Sequence, residues 1–128
     1  MEYYIQNVET DRYLDGGPSH MRGWNLGINS SWIRWEVITK SGCTYMIRNV
    51  ENRGHLDGGP RHVRPAEDGL TNPDWITWNI IPNGNDTFLI KNKQTGGYLD
   101  GGPNHMRPQF HGTGNPTWIS WKIRRVPN

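Results

Sequence analysis

The chain has 128 residues, a hydrophobic content of only 33%, and 14 Lys and Arg against 12 Asp and Glu. That length fits one domain, residues 1–128, and the seven Trp and five Tyr supply the apolar area that keeps so polar a chain out of the disordered class. The scattered basic residues and the formal net charge of +2 argue against a nucleic-acid partner, and the sequence contains no apolar run of membrane-spanning length, so we expect no membrane insertion.

The N-terminal segment MEYYIQNVETDRYL lacks the basic and apolar regions of a signal peptide. Cys43 is the only cysteine, so the chain can form no internal disulfide and a reducing compartment fits it best. We therefore expect a protein that is cytoplasmic or is released without a classical signal peptide.

Three repeats, residues 1–42, 43–85 and 86–128, account for the whole sequence. The octapeptides YLDGGPSH, HLDGGPRH and YLDGGPNH place their aspartates 42 and 43 residues apart, and WIRWEVI, WITWNII and WISWKIR follow in the same order. Self-similarity at such a period is the sequence signature of a repeat architecture.

Each repeat predicts the same series of short strands. YYIQNV, YMIRNV and FLIKNK alternate apolar and polar residues, and a turn leads from each into a short strand that ends in YLD or HLD. The segments beginning with Trp-Ile predict a strand near the end of each repeat, and we infer two weaker strands in the stretch between the glycines and the Trp pair. No apolar stripe at helical spacing persists, and nine Pro and 16 Gly interrupt every segment, so we predict an all-β fold.

Three β units left open would expose two sheet edges, and a closed pseudo-threefold barrel removes them. With FLIKNKQTGGYL at 88–99 and the aromatic closing strands, the chain resembles the β-trefoil lectins, in particular the bivalve galactose/GalNAc-binding lectins and, more distantly, the ricin-B-type lectins. It has LDGG where the bivalve lectins have HPxGG, and WIxW where ricin-B-type lectins have QxW. The resemblance implies a β-trefoil that binds galactose or GalNAc.

The octapeptide supplies the first candidate sugar ligands. A carboxylate offers several acceptor sites to adjacent hydroxyls, and in ricin-B-type lectins an Asp at this place accepts hydrogen bonds from two of them. Two glycines let a sugar ring approach the backbone. We therefore expect solvent-open carboxylates beside the glycines; the candidates are Asp15, Gly16, Gly17, Asp57, Gly58, Gly59, Asp100, Gly101 and Gly102. The alternative is a plain turn in which each Asp caps its own backbone.

A histidine and an arginine follow the proline in every repeat, which turn formation does not require. The imidazole could donate to a sugar oxygen, and the guanidinium could orient the Asp or reach a further saccharide; these residues are His20, His62, His105, Arg22, Arg64 and Arg107. His55 stands where the other repeats have Tyr13 and Tyr98, and we interpret it as a packing substitution rather than a ligand.

The Trp pair of each closing segment divides by strand parity. Trp35, Trp78 and Trp121 should lie in the core, whereas Trp32, Trp75 and Trp118 should be partly exposed and able to stack on a pyranose. Asn29, Asn72 and Asn115, just upstream, could add an amide to the same sites. Two alternatives stay open: both tryptophans of a pair fill the barrel bottom, and the Asn residues only start turns.

These patterns favour a lectin with up to three similar sites that binds glycans of glycoproteins or glycolipids multivalently. We expect no enzymatic activity, because general acid–base catalysis needs two carboxylates with different pKa values at one centre, and three similar sites keep the carboxylates apart. We also expect no cofactor and no metal. The alternatives are a structural or protein-interaction trefoil, or a metal-binding protein with Asp/His sites or one His₃ site. A homodimer is left open.

Overall fold

The computed structural model describes residues 1–17, 21–22, 31–59, 63–64, 73–102, 105–107 and 116–127. Within these residues each repeat contributes four strands. The first repeat has β1 (Glu2–Asn7), β2 (Tyr13–Leu14), β3 (Met21–Arg22) and β4 (Arg34–Thr39). The second has β5 (Thr44–Asn49), β6 (His55–Leu56), β7 (Val63–Arg64) and β8 (Trp78–Pro82). The third has β9 (Phe88–Asn92), β10 (Tyr98–Leu99), β11 (Met106–Arg107) and β12 (Ser120–Arg125).

The first and last strands of the repeats form a closed barrel of six strands. Each of β1, β4, β5, β8, β9 and β12 pairs antiparallel with the next, and β12 returns to β1. Closure removes the exposed edges that three separate units would present. The predicted all-β, pseudo-threefold barrel is therefore confirmed, whereas the repeat boundaries at 42/43 and 85/86 stay a prediction.

The two short strands of each repeat form a hairpin cap next to its first barrel strand. β2 pairs with β1 and β3, β6 with β5 and β7, and β10 with β9 and β11. Two weaker strands were expected between the glycines and the Trp pair, but the described residues of that stretch hold only one, namely β3, β7 or β11. The other short strand of each repeat is β2, β6 or β10, which ends at the Leu that precedes the Asp.

The closing segments do not begin as strands. Trp32 lies in a 3₁₀ turn at Ser31–Ile33, and strand β4 begins only at Arg34. Although Trp32 and Ile33 lie in a turn, burial still alternates here: Ile33 and Trp35 are fully buried, and Trp32 is half-buried. The equivalent turns are Pro73–Ile76 and Pro116–Ile119.

The core is aromatic and threefold. Trp35, Trp78 and Trp121 are fully buried, as predicted, with one Ile and one Leu from each repeat around them. Each indole Nε1 donates to the backbone carbonyl of the Leu that ends the first cap strand of the same repeat. These are Leu14, Leu56 and Leu99, at 2.9, 2.9 and 3.0 Å. Every large ring thus fills apolar volume and satisfies its polar atom. None of the described segments is a helix with the length and hydropathy of a membrane span.

Candidate functional site

The three repeated aspartates are buried. Asp15, Asp57 and Asp100 are 2%, 3% and 5% exposed. In each, Oδ1 accepts a hydrogen bond of 2.7 Å from the backbone N–H of the second glycine that follows. An Asp that precedes a tight turn accepts a hydrogen bond from the backbone N–H two residues later, which stabilises the turn. The expectation that these carboxylates are open to solvent is wrong, and their observed contact is that of the turn-capping alternative.

The first glycine of each pair is required by packing. The side chain of a buried asparagine from the next barrel strand lies against it, so closely that a Cβ on Gly16, Gly58 or Gly101 would overlap the amide of Asn49, Asn92 or Asn7 respectively. These three asparagines are at most 1% exposed. The absence of a side chain at the first glycine therefore accommodates the neighbouring repeat.

Each of these asparagines joins two repeats, and we call the three contacts the asparagine latches. Asn49 Nδ2 donates to the carbonyl of Trp32 at 2.9 Å, and its Oδ1 accepts from the N–H groups of Glu51 and Asn52 at 3.1 and 3.2 Å. The same Trp32 carbonyl accepts from the N–H of Gly16 at 2.9 Å. A single carbonyl thus receives one bond from its own repeat and one from the next.

The other two latches repeat this geometry and close the circle. Asn92 donates to the carbonyl of Trp75, and Asn7 donates to that of Trp118, each at 2.9 Å. Asn7 comes from the first repeat and Trp118 from the third, so this latch also ties the two ends of the chain together. Sequence reasoning missed these residues, although the available signal was an Asn in each first strand, 42 and 43 residues apart.

A half-buried tryptophan lies over the second glycine of each pair. We call these units the tryptophan corners: Trp32 with Gly17, Trp75 with Gly59 and Trp118 with Gly102. A Cβ on Gly59 would stand 3.5 Å from the ring of Trp75, and the other corners match it within a few tenths of an ångström. The prediction that these three rings are partly exposed is confirmed, and the alternative in which both tryptophans of a pair are core is not what the structure shows.

Polar contacts across the repeat boundaries make the corners unequal. Ser31 Oγ donates to Glu51, and Thr117 Oγ1 donates to Glu9, at the edges of the first and third corners. At the second corner Asp74 forms an ion pair of 3.5 Å with Lys93 instead. The tryptophans therefore share a backbone position but have chemically different neighbours.

One loop histidine connects two caps. His105 Nε2 lies 3.2 Å from the backbone carbonyl of Asp57, so the loop of the third repeat reaches the turn of the second. The contact needs a protonated Nε2, because the carbonyl can only accept. It gives His105 a bridging role that the sequence did not predict.

The remaining predicted site residues lie wholly or partly beyond what the structure describes. The backbones of Arg22, Arg64 and Arg107 belong to β3, β7 and β11, but their side chains are outside the described part. Outside it altogether are His20, His62, Asn29, Asn72 and Asn115. Their proposed contacts with sugar stay predictions.

Two further features bear on what the surface can bind. Among the described side chains, no three His, Cys, Asp or Glu residues come close enough to hold a metal ion. A cavity of about 360 Å³ lies away from the tryptophan corners, where β1 and β4 meet the chain end, and it is lined by Met1, Glu2, Arg34, Glu36, Arg125, Val126 and Pro127.

Comparison with solved structures identifies the fold. The designed threefold-symmetric protein ThreeFoil superposes with a TM-score of 0.77 over 98% of this chain and 99% of its own, at 12% identity. SeviL, solved bound to asialo-GM1 saccharide, gives 0.72 over 98% of both chains at 16% identity. The BEL β-trefoil gives 0.73 over 98% of this chain and 92% of its own at 15% identity.

No family model and no curated protein matches the sequence. At these identities the structural likeness carries the fold alone. It covers nearly the whole chain in each case and agrees with the closed six-strand barrel and its three hairpin caps. The protein is a β-trefoil.

Proposed function

We propose that this protein is a non-enzymatic carbohydrate-binding protein, a lectin, whose sugar sites are the three tryptophan corners. The observation that carries the proposal is the half-buried indole that lies over a glycine turn in every repeat. In every repeat one tryptophan is fully buried and the other stays partly exposed, so aromatic surface is available to a ligand at three equivalent places.

The indole face suits a galactose-type sugar. In galactose and GalNAc the axial 4-hydroxyl leaves the C–H groups of carbons 3 to 6 together on one face of the ring, and such a face stacks on an aromatic plane. The glycine beneath the tryptophan has no side chain to obstruct the pyranose. This chemistry supports the specificity that the resemblance to bivalve galactose/GalNAc-binding lectins implies, and SeviL, a protein of the same fold, was solved with a bound saccharide.

The hydroxyl contacts have to come from groups other than the buried aspartates. Loop histidines and arginines following each proline are the candidates that the sequence supplies, and His105 shows that such an imidazole stays at the surface of the caps. The absence of enzymatic activity is part of this proposal: hydrolysis of a glycosidic bond needs two carboxylates open to the substrate, and Asp15, Asp57 and Asp100 are buried.

Three corners on one body suit multivalent glycans on glycoproteins or glycolipids. A weak contact at one corner gains avidity when a second corner engages the same surface, since the second event is intramolecular. The unequal neighbours of the corners allow their affinities to differ, so the effective number of sites is one to three.

A glycan array at high surface density tests this proposal. We expect binding to galactose- and GalNAc-terminated glycans, and we expect each of Trp32→Leu, Trp75→Leu and Trp118→Leu to weaken it. Tyr3→Leu, which alters a half-buried aromatic residue away from the corners, is the matched control and should leave binding unchanged. Absence of any bound glycan at high density, or equal loss in the Tyr3 control, would overturn the proposal.

A further inference from the structure

The second hairpin cap differs from the other two at one buried position. His55 on β6 occupies the place of Tyr13 and Tyr98, and it is only 6% exposed. Its Nδ1 is buried and has no hydrogen-bond partner in the described structure. Buried polar nitrogens are nearly always paired, so an unpaired one is unusual.

Cations lie beside this imidazole. Arg48 is its cross-strand partner on β5, and Arg53 lies in the turn between the two strands. Glu36 on β4 accepts from Arg48 Nε at 2.9 Å and from Arg53 Nη1 at 3.1 Å, so it holds both guanidinium groups in place. On the other side, β7 pairs Arg64 with His55, although the side chain of Arg64 lies outside the described part.

The described residues of the first and third repeats form no such cluster. The residues that take the place of Glu36 are Lys122 and Asn79, and those that take the place of Arg48 are Gln6 and Lys91. There the cap tyrosines make aromatic contacts: Tyr13 packs against Tyr4 with ring centroids 5.7 Å apart, and Lys91 Nζ lies 5.8 Å from the ring of Tyr98. The charged arrangement is confined to the second cap.

We propose that His55 makes the second cap an acid-sensitive element: its neutral ring packs at neutral pH, and its protonation in mildly acidic solution opens the β6–β7 hairpin. Protonation would place a third positive charge beside Arg48 and Arg53 in a position shielded from water, and Glu36, the carboxylate that the described structure shows between the two arginines, is already bonded to both. The cap is the part able to respond, because β6 and β7 are two residues long and each pairs over few positions.

The direction of the pH effect follows from the same surroundings. Burial, and then the charges of Arg48 and Arg53, lower the pKa of His55 below its ordinary value of 6.5. Below pH 6.5 the unfolded chain therefore binds more protons at this site than the folded chain, and stability falls as the pH drops from 6.5 toward the folded-state pKa.

Opening of the cap would reach the neighbouring site. Asp57 and Gly59 follow β6 directly, and the carbonyl of Asp57 also receives the contact from His105. If the tryptophan corners bind sugar, as proposed above, acid would release ligand from the Trp75 corner before the other two. That consequence rests on the proposed function, whereas the opening of the cap does not.

Hydrogen exchange measured by mass spectrometry tests the opening without any sugar. Protection of the second cap, residues 55–64, is compared with that of residues 13–22 and 98–107 at pH 7 and pH 5, after correction for the intrinsic exchange rate. We expect protection of the second cap alone to fall, by about tenfold for each unit by which its folded-state pKa lies below the unfolded value. His55→Tyr, which restores the residue of the other repeats, should abolish the difference. Equal loss in all three caps, or an unchanged loss in His55→Tyr, would overturn the proposal.

Arg53→Gly is the second variant, in case His55→Tyr fails to fold. Arg53 has a φ of 63°, and the third repeat has Gly96 at this corner with a φ of 70°, so the backbone accepts the change. Removal of one cation should raise the pKa of His55 and reduce the loss of protection in acid. A loss in acid as large as in the natural chain would contradict the role of the cluster. Because neither variant experiment involves a glycan, failure to bind sugar leaves these results interpretable.

Discussion

At the three glycine turns, the contacts on the buried side are the same in every repeat, whereas the contacts on the exposed side differ between repeats. On the buried side, the three asparagine latches have the same partners and the same 2.9 Å donor distance. On the exposed side, the tryptophan corners have different polar neighbours in each repeat, with an ion pair at one and hydroxyl contacts at the other two. The contacts that join neighbouring repeats in the barrel are thus strictly repeated, whereas the polar contacts at the surface of the corners vary.

The aspartates belong to the buried side. Their threefold occurrence suggested a sugar ligand, but their burial and their bonds to Gly17, Gly59 and Gly102 fit a turn-capping role. A residue repeated in every unit is expected under either explanation. Exposure, and not repetition, separates the two.

The largest effect should come from removing a latch. Asn92→Ala would leave the N–H groups of Gln94 and Thr95 without their acceptor and remove a bond to the carbonyl of Trp75. We expect a loss of on the order of 3 kcal/mol in the free energy of unfolding, because the buried side chain that bonds both repeats is removed and leaves a cavity between them. Urea unfolding followed by circular dichroism measures it. Gln94→Ala, an exposed neighbour that leaves the backbone amide in place, is the control.

A smaller loss should follow from filling the space that the latch uses. Gly58→Ala would push a Cβ into the amide of Asn92, and we expect a cost of about 2 kcal/mol from overpacking. Gly59→Ala should cost less, since its Cβ would lie 3.2 Å from Asp57 Oδ1, a contact that small shifts can relieve.

The double variant Asn92→Ala/Gly58→Ala tests whether the cost of Gly58→Ala comes from its clash with Asn92, because that clash disappears when the asparagine is removed. Its loss should be clearly smaller than the sum of the two single losses. Strict additivity would contradict the account of the first glycine.

The smallest effect on stability should come from Asp57→Asn. The amide oxygen of asparagine can still accept from the N–H of Gly59, so we expect a change of less than about 1 kcal/mol. Asp57→Ala, which removes the acceptor, should cost more, about 1–2 kcal/mol. Equal losses in the two variants would show that the negative charge, and not the turn contact, is what the fold requires.

The sequence predicted the architecture because it depends on patterns that repeat. The spacing of the octapeptides predicted the threefold barrel, and strand parity predicted the burial of Trp35, Trp78 and Trp121. Both predictions are confirmed. The predicted start of the closing strand was wrong, because Ser31–Ile33 form a 3₁₀ turn and the strand begins only at Arg34.

The site was less predictable because its geometry is set between repeats. Asn49 lies within an alternating strand and contacts Trp32 of the preceding repeat, a distance of 17 residues that no local pattern encodes. His55 was expected to be a packing substitution, and its burial agrees with that, but the arginines held by Glu36 beside it become visible only when β4 and β5 are paired.

The binding of two triple variants separates the tryptophans from the aspartates as the residues that hold the sugar. The triple variants Trp32→Leu/Trp75→Leu/Trp118→Leu and Asp15→Asn/Asp57→Asn/Asp100→Asn are titrated onto a galactose-terminated glycan surface, with folding checked by urea unfolding. We predict that the triple Asp→Asn variant keeps its affinity within about threefold of the natural chain. The triple Trp→Leu variant should lose affinity by at least about tenfold. A folded asparagine variant that no longer binds, beside a leucine variant that does, would contradict the account.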